Sequence, residues 1–183
     1  MGNKTVIRAG DVQRMSAGTG LTHSEFNLAQ TPVNFYQIWI FPDQRGLEPS
    51  YDQKSFSKGS WRNTLLPIAS GQGIEETVTF YTAATIYRCD LKKNKNVVHM
   101  ATEGRRILLY VTKGEVNANG TTVSEKYQAR IDIDEPLKLS ARESAEFILI
   151  NVPSCKGWGY SADTLKGKSK KTHEPPRVFR RPG

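Results

Sequence analysis

His23-Ser24-Glu25 holds the side chains best suited to chemistry in this chain. On an extended strand, residues two apart project to the same face, so the His23 imidazole and the Glu25 carboxylate are expected to converge on one point. Those are donor types that a mid-series divalent metal such as iron(II), manganese or copper accepts. Two protein donors seldom hold such an ion against water, so the pair needs further ligands. The other histidines are poor substitutes. His99 lies in the run Val97-Val98-His99-Met100 and reads as a structural strand histidine, while His173 lies in a polar tail. Gly10, Gly18 and Gly20 precede the pair and mark tight turns, where the backbone takes conformations that other residues avoid.

No other catalytic set emerges. Gly71-Gln72-Gly73 is too short for a phosphate loop, and no Gly-Lys-Ser or Gly-Lys-Thr follows it. Cys89 and Cys155 are the only cysteines and are far apart. Such a pair reads as free thiols in a reducing compartment, the cytoplasm, buried as small apolar residues.

The elements that must position His23 and Glu25 are strands. Thr5–Ala9, Val12–Ser16, the stretch around His23 and Asn34–Phe41 are expected to be extended, with Pro42 ending the last of them. Residues 43–61 are polar with few β-branched residues and are expected to be a long ordered loop. Beyond it the pattern predicts a short strand and a glycine turn within 65–73, then short strands within 77–82, 85–91, 97–101, 107–111, 115–118, 121–123, 129–133, 137–140 and 146–152. Asn119-Gly120 is the strongest hairpin signal, since both residues favour positive φ. Short strands at this regular spacing predict a closed barrel or sandwich. No helix of more than about two turns is supported.

The chain has 183 residues, 37% hydrophobic and 9% aromatic, and a net charge of +8. That composition supports a packed core, and no apolar run approaches the ~18 residues that would span a bilayer. The first ten residues lack the hydrophobic segment of a secretory signal. The charge is local. Seven Lys or Arg against the single acid Glu174 place +6 between Leu165 and Gly183, leaving +2 for residues 1–164. That basic tail is read as a solvated, disordered terminus, and nucleic-acid contact is expected only through it.

The run Gly10-Asp11-Val12-Gln13, Ser16-Ala17-Gly18, His23-Ser24-Glu25 and Arg45-Gly46-Leu47-Glu48-Pro49-Ser50-Tyr51 resembles the pirin family, in particular its short bacterial, quercetinase-like branch. The resemblance covers roughly residues 1–153. It implies an all-β fold of cupin-type barrels, a bicupin, with the N-terminal barrel incomplete and the C-terminal one complete. The expected division is 1–60 for the residual N-terminal half-barrel and its connecting loop, 61–155 for the second barrel and 156–183 for the tail.

The family's metal centre takes three His and one Glu. His23 and Glu25 match its last two positions, and the first two, on a His-x-His strand, have no counterpart here. The metal implied is divalent, iron first, with manganese, nickel or copper as alternatives. The activity implied is quercetin 2,3-dioxygenation, the oxidative ring opening of a flavonol. His23 would be a ligand, and Glu25 a ligand and proton acceptor. Phe35, Gln37 and Trp39, on one face of their strand, are either core or the lining of a flavonoid-sized pocket. A chain with half the ligands is expected to be weak or inactive alone. It is also expected to expose strand edges that a protein partner or a second copy would cover. The alternative reading is a metal-free regulatory protein that acts through protein partners.

Overall fold

The computed structural model describes residues 2, 4–57, 59–100, 102–132 and 135–154. The basic tail, with His173, lies outside them, as does Cys155. Twelve strands and no helix form among the described residues: β1 (Asp11–Ser16), β2 (Ser50–Ser55), β3 (Leu66–Ser70), β4 (Val78–Thr79), β5 (Thr85–Leu91), β6 (Asn96–His99), β7 (Arg105–Lys113), β8 (Glu115–Ala118), β9 (Thr121–Ser124), β10 (Gln128–Asp132), β11 (Leu137–Ser140) and β12 (Ala145–Pro153). The all-β expectation holds.

Period-two patterning builds the core. In β5, β7 and β12 the odd-numbered residues point inward, so Cys89, Leu91, Ile107, Leu109, Val111, Phe147 and Leu149 are almost wholly buried. They lie in a six-stranded sheet ordered β10-β7-β12-β5-β3-β4. A four-stranded sheet, β6-β11-β8-β9, contributes Val116, Val123, Leu137 and Leu139 to the same cluster. Burying one such side chain is worth roughly 1.5–3 kcal/mol, so the facing sheets are held chiefly by this layer.

Local chemistry sets the joints. The β8–β9 turn is the anticipated hairpin, with φ of 45° at Asn119 and 90° at Gly120. Pro67 has no N–H to offer its neighbour, and the β3–β5 register shifts between Pro67 and Ala69. Trp61, ahead of β3, is buried, and the Arg88 guanidinium lies over its ring at 4.2 Å.

The opposite face of the six-stranded sheet carries a smaller cluster. Ala69, Val78 and Ile86 are buried there, with Val12, Ile40, Ile148 and Ile150 packed against them. This cluster seats the separate β1–β2 pair on the larger body.

Three expectations fail in the N-terminal third. Residues 34–41 are not a strand, and neither are 5–9 or the stretch around His23. A strand needs a ladder partner for its backbone groups, and no described strand runs beside these segments. Phe35, Trp39 and Phe41 are instead 65%, 83% and 88% exposed. Conversely, the supposed loop 43–61 contains β2. Its sequence Ser-Tyr-Asp-Gln-Lys-Ser has little β propensity, and its ladder to β1 makes it a strand.

Candidate metal centre

β1 and β2 run antiparallel, with Asp11 opposite Ser55, Gln13 opposite Gln53 and Met15 opposite Tyr51. Their odd-numbered side chains therefore share one face. The even-numbered face docks on the six-stranded sheet near β4. Arg14 holds that contact, its Nε donating to the Thr79 carbonyl at 2.9 Å, while its Nη1 donates to Ser50 Oγ of β2 at 2.5 Å and so fixes the side chain within the pair. The Thr79 amide donates to Asp52 at 3.3 Å.

The odd-numbered face carries a chain of hydrogen bonds that ends at Glu25. Gln13 Nε2 donates to Glu25 Oε1 at 2.6 Å. The Tyr51 hydroxyl donates chiefly to Gln53 Oε1 at 2.7 Å and shares the same proton with Gln13 Oε1 at 3.2 Å, which links the two glutamines. Gln53 Oε1 also accepts from Thr5 Oγ1 at 3.0 Å, while its Nε2 donates to Asp11 at 3.0 Å and to the Val6 carbonyl at 3.1 Å. Burial raises the Tyr51 phenol above its ordinary value, and the Asp11 and Glu25 carboxylates add to the effect. Tyr51 thus remains a donor. The Arg8 backbone N–H, 2.8 Å away, heads the interactions that hold Asp11 below the usual carboxylate range.

Glu25 is exposed but oriented. Its Oε1 is engaged, and its Oε2 has no hydrogen-bond partner among the described residues. His23 lies two residues away, exposed and outside any strand, so the expected strand geometry does not set its direction. The pair has the right donor chemistry for a divalent metal, but the set is incomplete. Among the described residues no three His, Cys, Asp or Glu come together as metal ligands would. His99 is buried between the two sheets, bonded to Asn151. The shared strand face expected for Phe35, Gln37 and Trp39 does not exist, because that segment is not a strand.

Reading the residues in isolation missed Gln13, Tyr51 and Gln53. Their signal was present as period-two placement in two segments, but it became visible only once β2 was known to be a strand.

Comparison with known proteins gives matches along most of the chain. The Pirin family pattern matches residues 1–40, and that of the quercetinase C-terminal cupin domain matches residues 67–152. A putative quercetin 2,3-dioxygenase of Pseudomonas aeruginosa is 34% identical over 153 residues, 83% of this chain and 66% of that protein. Quercetin 2,3-dioxygenase of Escherichia coli K12 is 33% identical over 154 residues, 84% of this chain and 65% of that protein. The chain thus spans just under two thirds of the length of these relatives. The crystal structure of YhhW from Escherichia coli superposes with a TM-score of 0.78 at 32% identity, over 84% of this chain and 65% of that one. YhhW in complex with nickel(II), described as a bacterial pirin, superposes at 0.74 with 30% identity, over 84% of this chain and 66% of that one.

Proposed function

The chain belongs to the pirin family and has cupin-type sheets, and from that premise we propose that it takes part in metal-dependent oxidation of a flavonol-like small molecule. His23 and Glu25 are proposed as two ligands of a divalent metal, iron first, with manganese, nickel or copper as alternatives. The remaining ligands come from outside the described residues. The unit carrying the pair is residues 1–60, and 61–155 is a second, structural unit.

The observation that carries this reading is the 2.6 Å bond from Gln13 to Glu25. Carboxylates that bind metals are themselves held by outer hydrogen bonds, which fix their direction. Here an exposed glutamate is held by a glutamine that Tyr51 and Gln53 brace in turn. The names of the relatives, quercetin 2,3-dioxygenase among them, and the nickel(II) complex of YhhW support the choice of metal class and substrate class.

Such a metal, when bound, supplies a Lewis-acidic centre with exchangeable positions. What this chain adds is orientation and proton handling. Glu25, anchored to Gln13 through Oε1, presents Oε2, the oxygen that would hold the metal and that would accept a flavonol hydroxyl proton when not so engaged.

The test is elemental analysis of the purified 183-residue chain beside a His23→Ala control, each alone and co-expressed with a segment supplying a His-x-His strand. Alone, the parent should hold substoichiometric metal that falls to background in the control. With the segment, occupancy should approach one and quercetin should be consumed. Equal metal in parent and control, or no gain from the added histidines, would refute the assignment.

A further inference from the structure

A second polar cluster lies between the two facing sheets at the end where β7 begins and β12 finishes. Thr85 of β5 and Asn151 of β12 are register partners, and Arg105 opens β7 on the next strand over. Their side chains continue the inward-facing odd positions, so the apolar filling gives way to polar groups at this end. His99 of the other sheet closes over them. Its ring meets Tyr87 edge-on at 5.3 Å, and its Nε2 lies 3.0 Å from Asn151 Nδ2.

The bonding fixes the states of these groups. Arg105 Nε donates to Asn151 Oδ1 at 2.7 Å, and this orients the amide so that Nδ2 faces His99. Nδ2 is a donor, so His99 Nε2 must accept. The imidazole is therefore neutral, with its proton on Nδ1. Arg105 Nη2 donates to Gln72 Oε1 at 3.1 Å and to the Asn151 carbonyl at 3.2 Å. Gln72 Oε1 also accepts from Thr85 Oγ1 at 2.9 Å.

Every acceptor around Arg105 is thus a neutral oxygen. No carboxylate pairs with it among the described residues, and the half-buried guanidinium retains two unbonded N–H groups on Nη1. A charge withdrawn from water without an opposite charge is costly. Burial accordingly pulls the Arg105 pKa below its ordinary value. Its chain neighbour Arg106 shows the contrast, since it faces outward and forms a two-point ion pair with Asp132 at 2.6 and 3.2 Å.

We propose that this end of the sheet pair is a binding site for a small monoanionic carboxylate, received by Arg105 Nη1 between Gln72, Tyr87 and His99. One guanidinium beside a neutral histidine balances one negative charge. A phosphate dianion would leave charge uncompensated, because among the described residues no second cation is bonded into the cluster. Guanidinium and carboxylate match in geometry and form the stronger, charge-assisted kind of hydrogen bond. The site is independent of the metal assignment at His23 and Glu25.

The test uses the full chain in the presence of a chelator, at constant ionic strength, with acetate, benzoate and inorganic phosphate as probes. The His99 ring and the Asn151 side-chain amide are followed by NMR. Acetate or benzoate should give saturable shifts at both groups in the millimolar range. Arg105→Gln should weaken binding by at least about tenfold, and Arg105→Lys should weaken it less. Unchanged Leu109 and Phe147 signals, deep in the core, certify that each variant is folded. Shifts that do not saturate, an equal response in Arg105→Gln, or tighter binding of phosphate than of either carboxylate would overturn the proposal.

Discussion

The backbone at Gly18 runs so close to Leu47 that a Cβ on Gly18 would lie 2.0 Å from the Leu47 carbonyl oxygen. This contact ties the turn before His23 to the segment that leads into β2. Gly18 also has a φ of 54°, which an L side chain adopts only at a cost. Gly18→Ala therefore combines backbone strain with a steric clash and should destabilise the chain by about 1–3 kcal/mol. Urea denaturation reads the effect directly, and an unchanged midpoint would mean that the close approach is absent in solution.

Gln13→Leu removes the donor to Glu25 and leaves the β1–β2 ladder intact. If Glu25 is a metal ligand, affinity should fall roughly 10–100-fold, as it does when outer-shell partners are lost elsewhere. Competition with a chromophoric chelator, using the metal-loaded chain completed by a His-x-His segment, measures the change. Equal affinity in parent and variant would mean that Gln13 does not orient Glu25 for a metal.

His99 supplies a pH signature. Burial lowers its pKa below the ordinary 6.5, with Arg105 adding to the effect. The unfolded chain then takes up a proton more readily than the folded one. The contribution to stability is therefore fully present above about pH 6.5 and is lost as pH falls below it. Denaturation curves at pH 7.5 and pH 5 should differ for the parent. The difference should shrink in His99→Gln, which keeps an acceptor for Asn151 without the titrating ring.

Cys89 is expected to be inert. It is wholly buried, and burial pushes its thiol from 9.0 up to about 12. Thiolate is the reactive form, so in a Cys155→Ser background a thiol reagent at pH 8 should label almost nothing until denaturant is added, and then one equivalent. The same shift has a stability consequence of definite sign. Its contribution is complete below about pH 9 and is lost as pH rises through about 12. Rapid native labelling would show that the core around Phe147 opens readily.

Much of the larger body was legible in the sequence. The strands at Thr85–Leu91, Glu115–Ala118 and Leu137–Ser140 carry their own pattern of apolar alternation, and Asn119-Gly120 specifies its turn from two residues. The family, the all-β class and the candidate pair His23 and Glu25 were readable for the same reason, since each rests on residues near one another along the chain.

Tertiary structure decided the rest. Asn34–Phe41 looks like a strand and is not one, whereas Ser50–Ser55 does not look like one and is, because ladder hydrogen bonds belong to pairs of segments. The bracing of Glu25 needs Gln13 and Tyr51, 38 positions apart, to meet across a ladder. The Arg105 cluster joins Gln72, His99 and Asn151 from separate elements, His99 and Asn151 being 52 positions apart. Periodicity tells which face a side chain takes, but only the register between strands tells which distant side chain it will meet.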